Sequence, residues 1–309
     1  MRVAVMGAGA IGLLYGGWLQ KGGADVIYIA RGARVAELDK SALSVQGRLS
    51  FSVPTLKVAP DPRLVGPVDV VILCVKLYDL EEAAKSALPA LKPGGALVGI
   101  QNGVNAMETL QRFLPAEQLA VGSVYPVAKL SGAASVTYGG LERIVLGNPD
   151  ADIPDVVKGL LETWSSVGVD ASHATDIQSV LWQKFIGVAT GSAINCLTRL
   201  PAGVVYHDDG ILKYVKQAIS EVIDVGRVAG ANIPAKAAET TLAYLKTFPF
   251  NAIASMRVDL DAGRKLELEG LSGEVARLGR LLSVPTPFHQ MAYDMLLPFR
   301  DGPAAAAPR

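Results

Sequence analysis

MRVAVMGAGAIGLLYGGWL, residues 1–19, is the stretch whose reading decides the fold. Arg2 to Met6 is a short apolar run with the composition of a strand. Ile11 to Gln20 has helical spacing, with Leu14, Trp18 and Leu19 available to face a sheet. Between them, Gly7-Ala8-Gly9-Ala10-Ile11-Gly12 matches G-x-G-x-x-G. The pattern alone is weak; directly after a strand and opening a helix it is strong. Gly7 permits a tight turn, Gly9 leaves no side chain in the way of an approaching pyrophosphate, and Gly12 lets helix and strand pack closely. The helix N-terminus then offers free N–H groups and partial positive charge to phosphate. The segment predicts a dinucleotide-binding β-α unit.

The same segment carries a rival signal. Val3 to Leu19 has no charge, Arg2 precedes it, and Gly12 and Gly16 supply a G-x-x-x-G spacing. Its glycines dilute the hydropathy, it falls short of the roughly 20 apolar residues of a span, and no small-residue cleavage site follows. Neither a membrane segment nor a leader is predicted, and a cytoplasmic enzyme is the expectation.

Composition narrows the class. Of 309 residues, 50% are apolar and 19% charged, enough for large buried cores in two domains. Lys plus Arg number 29 and Asp plus Glu 29, a net charge of zero, which argues against nucleic acid or a membrane surface as partner. Cys74 and Cys196 each sit in an apolar run and read as core thiols. His173, His207 and His289 are far apart, with no ligand spacing, so no metal site is predicted.

Further along, strands and helices alternate. Asp25–Ala30, Val68–Val75 and Ala96–Ile100 read as strands; Asp79–Leu91, with Asp79 as N-cap, and Asn105–Phe113 read as helices. Pro93-Gly94-Gly95 reads as the end of one β-α unit. Residues 42–59 suggest a hairpin-like excursion, Leu119–Gly147 further strands, and Pro154–Val167 an amphipathic helix. Beyond about Ser172, helical segments dominate: Ile177–Leu197, Leu212–Ala229, Ala235–Leu245, Leu271–Leu282 and Pro287–Leu297. The fold class predicted is an α/β Rossmann-type doubly wound N-terminal domain (1–173) plus an all-α C-terminal domain (174–300), with 301–309 a disordered tail.

The end of the second strand chooses the cofactor. An NAD site usually has Asp or Glu there; here the sequence is Ile29-Ala30-Arg31-Gly32-Ala33-Arg34, with no carboxylate before Glu37. A guanidinium pairs with a 2′-phosphate through two parallel hydrogen bonds. NADP(H) is therefore predicted, with Arg31 as the 2′-phosphate contact and Arg34 as helper. Lys76 follows the third apolar strand and Gln101-Asn102-Gly103 the next, both where open sheets bind ligands. Lys76 and Asn102 join Gly7, Ala8, Gly9, Ala10, Ile11 and Gly12 as candidate cofactor residues.

Taken together, Arg31, the I-Q-N-G segment ending at Gly103, Leu181-Trp182-Gln183-Lys184, then Ser255-Met256, Asp259, Gly263-Arg264, Glu267, Glu269, Gly273 and Val284-Pro285-Thr286-Pro287 resemble the ketopantoate reductase family over nearly the whole chain. The resemblance implies NADPH-dependent reduction of ketopantoate (2-dehydropantoate), a 2-oxo acid, to pantoate in pantothenate and coenzyme A synthesis. It implies Lys184 as general acid, Glu267 as its support, and Asn102 between cofactor and substrate. It implies Ser255 at the substrate, with Ser192 and Asn195 as further candidate contacts. Elementary chemistry agrees. Hydride delivery builds negative charge on the ketone oxygen, which a cationic donor stabilises, and a carboxylate keeps that donor charged. Glu267 and Glu269, two apart, cannot both reach Lys184 from one helix face.

One departure bears on the substrate. Where family members acting on ketopantoate usually have Asn four and eight residues after the lysine, this chain has Val188 and Ser192, and Ala252 replaces another Asn, with Asn251 adjacent. A different, more apolar 2-oxo acid stays open on this reading. So do a β-hydroxyacid-dehydrogenase-like enzyme, although its G-x-x-G-x-G loop is missing, and a non-catalytic NADP(H) sensor, which has no need of a Lys–Glu pair. Trp164 and Trp182 are expected in the core, and His289 at a helix start without a partner. Analogy allows a homodimer; the sequence itself names no assembly.

Overall fold

The computed structural model describes residues 1–303. Packing divides the chain into one unit formed by Met1–Gln101 and Asn105–Ile177, and a second formed by Asn102–Val104 and everything from Gln178 onward. The division falls four residues beyond the predicted boundary at 173, and it moves a three-residue segment of the first half into the second unit.

In the first unit the elements run β1 (Arg2–Met6), α1 (Ala10–Lys21), β2 (Asp25–Ile29), α2 (Ala33–Leu38), β3 (Leu43–Gln46), β4 (Phe51–Val53), β5 (Lys57–Ala59) and β6 (Val68–Leu73). Then come α3 (Leu80–Ala87), β7 (Leu91–Gly99), α4 (Ala106–Leu110), β8 (Leu119–Val124), β9 (Val127–Gly132), β10 (Ser135–Gly139), β11 (Arg143–Gly147), α5 (Asp155–Ser166) and β12 (Asp170–His173). The main sheet has the order β12-β11-β8-β7-β6-β1-β2-β5. Every pairing in it is parallel except β11 with β8. Covered on both faces, β1 and β6 are almost continuously apolar, as parallel strands must be. A smaller sheet, β4-β3-β10-β9, contains the expected hairpin as β3–β4. The end of that excursion, β5, instead extends the main sheet beside β2.

Two local readings needed correction. Asp79–Leu91 is not one helix: α3 stops at Ala87 and a 3-10 turn, Leu88–Ala90, follows, because Pro89 cannot donate to a continuing helix. Asp79 holds the N-cap position without a side-chain cap bond. Nor does Pro93-Gly94-Gly95 end the unit; β7 runs through it from Leu91, with its register to β6 shifting between Val68 and Val70. The glycines behind the membrane-like spacing have a packing reason. A Cβ on Gly12 would stand 2.0 Å from the Gly7 carbonyl oxygen, and one on Gly16 would stand 2.7 Å from the Tyr28 hydroxyl. They set α1 close on the sheet. Tyr15, Trp18, Tyr138 and Trp164 then meet edge to face in the core.

The second unit is helical: α6 (Ile177–Thr198), α7 (Ala202–Val205), α8 (Asp209–Val228), α9 (Ala237–Lys246), α10 (Ser255–Asp261), α11 (Glu274–Leu282) and α12 (Pro287–Leu296). Its separate core includes Trp182, Phe185, Ile219, Leu268 and Phe288. The Asp208 carboxylate accepts from Ile211 N at 2.9 Å and caps α8. Buried Glu221 accepts from the backbone N–H of Phe288 and His289 and fixes the start of α12. His289 is at that helix start but has partners: its ring nitrogens lie 3.3 Å from Ser272 Oγ and 3.2 Å from the Ala218 carbonyl, and burial lowers its pKa to about 4. The short α10 was not foreseen. Of the predicted tail, Asp301–Pro303 form a turn with Gly302 N donating to Phe299 O, and 304–309 lie outside the described residues. Among the described residues no helix is long and apolar enough to cross a membrane.

Candidate active site

In the first unit the glycine turn is built as its sequence requires. Gly7 has φ +105°, and a Cβ there would press on the backbone of Cys74 and Val75 within 2.9 Å. Gly9 is the N-cap of α1, and a Cβ on it would meet nothing within 4 Å. The backbone is open where a pyrophosphate must approach, and no acidic residue stands in the first turn of α1. Ala8, Ala10 and Ile11 complete the turn. Gly7 N donates to the last carbonyl of β2, at Ile29, and Cys74 N to that of β1, at Met6, so the turn sits on three adjoining strand ends. These features fit a dinucleotide.

Arg31 is exposed, with one Nη 3.0 Å from a carboxylate oxygen of Glu82. Arg34 is the one laid against the turn: its Nε and one Nη each donate to the Ala8 carbonyl at 3.2 Å, and its other Nη meets Glu37 at 3.1 Å. Lys76, half-buried, follows the Cys74–Val75 backbone on which Gly7 rests. Gln101, which sequence reasoning passed over for its neighbour Asn102, donates its amide to the carbonyls of Leu73 and Val75 at 2.6 and 3.2 Å. The Q-N-G segment was visible; a buried glutamine closing two strand ends was not.

In the second unit Lys184 lies in the second turn of α6, half-buried, and its Nζ donates to Asn102 Oδ1 at 2.9 Å. Burial lowers its pKa to about 8, and the charge of Glu267 opposes that fall. Glu267 is 4% exposed, between the buried Leu266 and Leu268 and just before a π-helical turn, Glu269–Gly273. Glu269 points elsewhere, accepting from the Tyr293 hydroxyl at 2.9 Å. Lys184, Asn102 and Glu267 are thus brought together. Ser255 is exposed at the first position of α10. Asn195 stands behind it: its Nδ2 donates to the Leu200 carbonyl at 3.2 Å and its Oδ1 accepts from Ala254 N at 2.9 Å. The bond from Ala254 N ties Asn195 to the residue just before Ser255. Ser192 is buried in α6, and Val188 is half-buried one turn beyond Lys184.

An amine bonded to an amide oxygen and under the charge of a buried carboxylate, in a chain whose other unit carries a glycine turn that fits a dinucleotide, is an arrangement compatible with a nicotinamide-dependent oxidoreductase. The family model described as ketopantoate reductase PanE/ApbA matches residues 3–151, and its C-terminal counterpart matches 176–299. The chain belongs to the ketopantoate reductase family. A 2-dehydropantoate 2-reductase of Halobacterium salinarum is 26% identical over 98% of this chain and 100% of its own length. A PanE/ApbA family ketopantoate reductase from Ralstonia eutropha is 28% identical and superposes with a TM-score of 0.87, covering 97% of this chain and 98% of the other. A D-mandelate dehydrogenase solved with NADH and anilino(oxo)acetate shares the fold at 21% identity and a TM-score of 0.86, covering 97% of this chain and 98% of its own.

Proposed function

We propose that this chain reduces the ketone of a 2-oxo acid with NADPH, and that 2-dehydropantoate is that acid, reduced to pantoate. The observation that carries the reading is Lys184: an ammonium in a largely apolar surrounding, bonded to Asn102, under the charge of Glu267. Bound NADPH supplies the hydride. Negative charge then grows on the ketone oxygen, and Lys184 Nζ stabilises it and donates its proton there. Asn102 Oδ1 fixes the direction of the Lys184 N–H bonds. Glu267 keeps the amine protonated against burial. Ser255, exposed at the start of α10, is assigned to the acid's carboxylate or hydroxyl. Gly7, Gly9, Gly12 and the backbone around them would hold the pyrophosphate, and Arg31, Arg34 and Lys76 the phosphate of the adenosine half. The NADPH preference is supported by these cations and by the lack of a carboxylate at the end of β2 before Glu37.

The D-mandelate dehydrogenase solved with NADH and anilino(oxo)acetate supports a second reading, in which another 2-oxo acid is the substrate. Val188 and Ser192 favour it. The test follows NADPH and NADH oxidation over a panel of 2-oxo acids that includes ketopantoate. Ketopantoate should give the highest kcat/KM, with NADPH preferred. Lys184→Ala should cut kcat roughly 10²- to 10⁴-fold while NADPH affinity, measured by fluorescence titration, holds. An alanine variant at near-normal rate removes the proposed acid, and no oxidation with any acid removes the reductase.

A further inference from the structure

Glycine inside a helix is less stable than alanine, so a glycine there asks for a cause. For Gly191, Gly203, Gly226 and Gly279 of the second unit the cause is packing: a Cβ on any of them would stand within 2.9 Å of an atom of another residue. Gly187, in α6, has no such cause. Its φ is not positive. Among the described residues, a Cβ there would find Leu245 Cδ2 and Thr241 Cγ2 of α9 within 4 Å, each at 3.8 Å, an ordinary contact. Alanine would fit and would strengthen the helix.

The place of this glycine gives it a use. Gly187 is one helical turn beyond Lys184, a neighbour on the helix surface. Side chains on a helix lean toward its N-terminus, so the room left by the absent side chain lies back over the turn that bears the lysine. That room is also open. From Phe185 to Cys196, α6 is buried except at Gly187 and Val188, which are half-buried like Lys184 itself. The opening on this helix therefore consists of an amine, a glycine and a valine. Its wall on the α9 side is the half-buried Thr241 and the buried Leu245, which turn methyl carbons toward position 187. One end offers N–H donors to an oxygen; the other offers hydrocarbon, which favours an apolar group over a hydroxyl.

We propose that the space over Gly187 receives the hydrocarbon branch of the 2-oxo acid whose ketone meets Lys184, which makes Gly187 the residue that sets the size of acid this chain reduces. The proposal rests on the reductase reading above and holds for either substrate considered there. The test measures kcat/KM with NADPH for the wild type, Gly187→Ala and Thr241→Ser on pyruvate and on two branched acids, ketopantoate and 4-methyl-2-oxopentanoate, together with melting temperatures. Gly187→Ala should melt about 1–4 °C higher. Its ratio of kcat/KM for the better branched acid over pyruvate should nevertheless fall roughly 10-fold or more. Thr241→Ser removes the methyl group that bounds the space, and the same ratio for 4-methyl-2-oxopentanoate should rise above that of the wild type. An unchanged ratio in Gly187→Ala, or a melting temperature below that of the wild type, overturns the assignment, and so does a ratio in Thr241→Ser that stays or falls. A wild type that reduces pyruvate better than either branched acid overturns it while the reductase stands. A wild type that oxidises NADPH with none of the three overturns both.

Discussion

Lys184 holds two opposed influences in one side chain. Burial discourages its charge and Glu267 encourages it, leaving a pKa of about 8. An acid poised there is mostly protonated near neutrality and gives up its proton more readily than an ordinary lysine. The sign of the pH dependence follows. The active form is the protonated one, so kcat/KM for ketone reduction should be level below pH 8 and fall toward tenfold per unit above it. Glu267→Gln removes the influence that raises the pKa, so the falling limb should move to lower pH. A pH–rate profile of the variant checks this; a limb that stays put or moves upward separates Glu267 from the acid. The first unit offers a second test at this scale. Arg31 is engaged by Glu82 on the surface, and such exposed pairs hold by no more than about 1 kcal/mol. Glu82→Gln should release Arg31 and tighten NADPH a few-fold at low salt without changing NADH, as read by fluorescence titration. Unchanged NADPH binding would place Arg31 away from the phosphate.

Between elements, the decisive joint is α6 with α10. Asn195, buried near the end of α6, accepts from Ala254 N at the cap of α10 and so fixes where Ser255 begins. Asn195→Ala leaves Ala254 N and the Leu200 carbonyl without that amide, a loss of about 1–3 kcal/mol. The variant should melt several degrees lower and show a raised KM for the 2-oxo acid with NADPH affinity unchanged. A lower melting temperature with an unaltered KM would reduce Asn195 to a structural residue. This joint also shows where sequence reading stopped. The periodic segments of α5 and α8, the long apolar helices α1 and α6 and the apolar runs of β1, β2 and β6 declare themselves, because burial on one or both faces dictates residue type directly. What stayed hidden depends on partners distant in the chain. The seven residues of α10 are too few for a period to emerge. The short β5 is told from its hairpin neighbour only by pairing with β2, and Arg34 is laid against the glycine turn by the Ala8 carbonyl, 26 residues earlier. Lys184 and Glu267 were legible through resemblance; the hydrogen bond to Asn102 fits the same reading and is a matter of folding.

On the scale of the whole molecule, one peptide bond separates two allegiances. Gln101 closes the ends of strand β6 in the first unit, and Asn102, next to it, receives the bond of Lys184 in the second. The segment Asn102–Val104 contributes Val104 to the core of the helical unit as well. The two units are therefore not separable at a single point, and a cut after Ile177 is asymmetric. Residues 1–177 keep the glycine turn, Arg31, Arg34, Lys76 and the whole first core. Residues 178–309 lose both the acceptor of the lysine and Val104. The first fragment should fold cooperatively and gain about 2.7 kcal/mol of stability from NADPH at a hundred times its own Kd. The second should melt broadly and at lower temperature than the intact chain, even with its six longer helices present in sequence. Calorimetry of the two fragments with and without NADPH decides it. A sharp, stable transition in 178–309 would mean that Asn102 and Val104 are dispensable to the helical unit, and that Lys184 keeps its orientation from Glu267 alone.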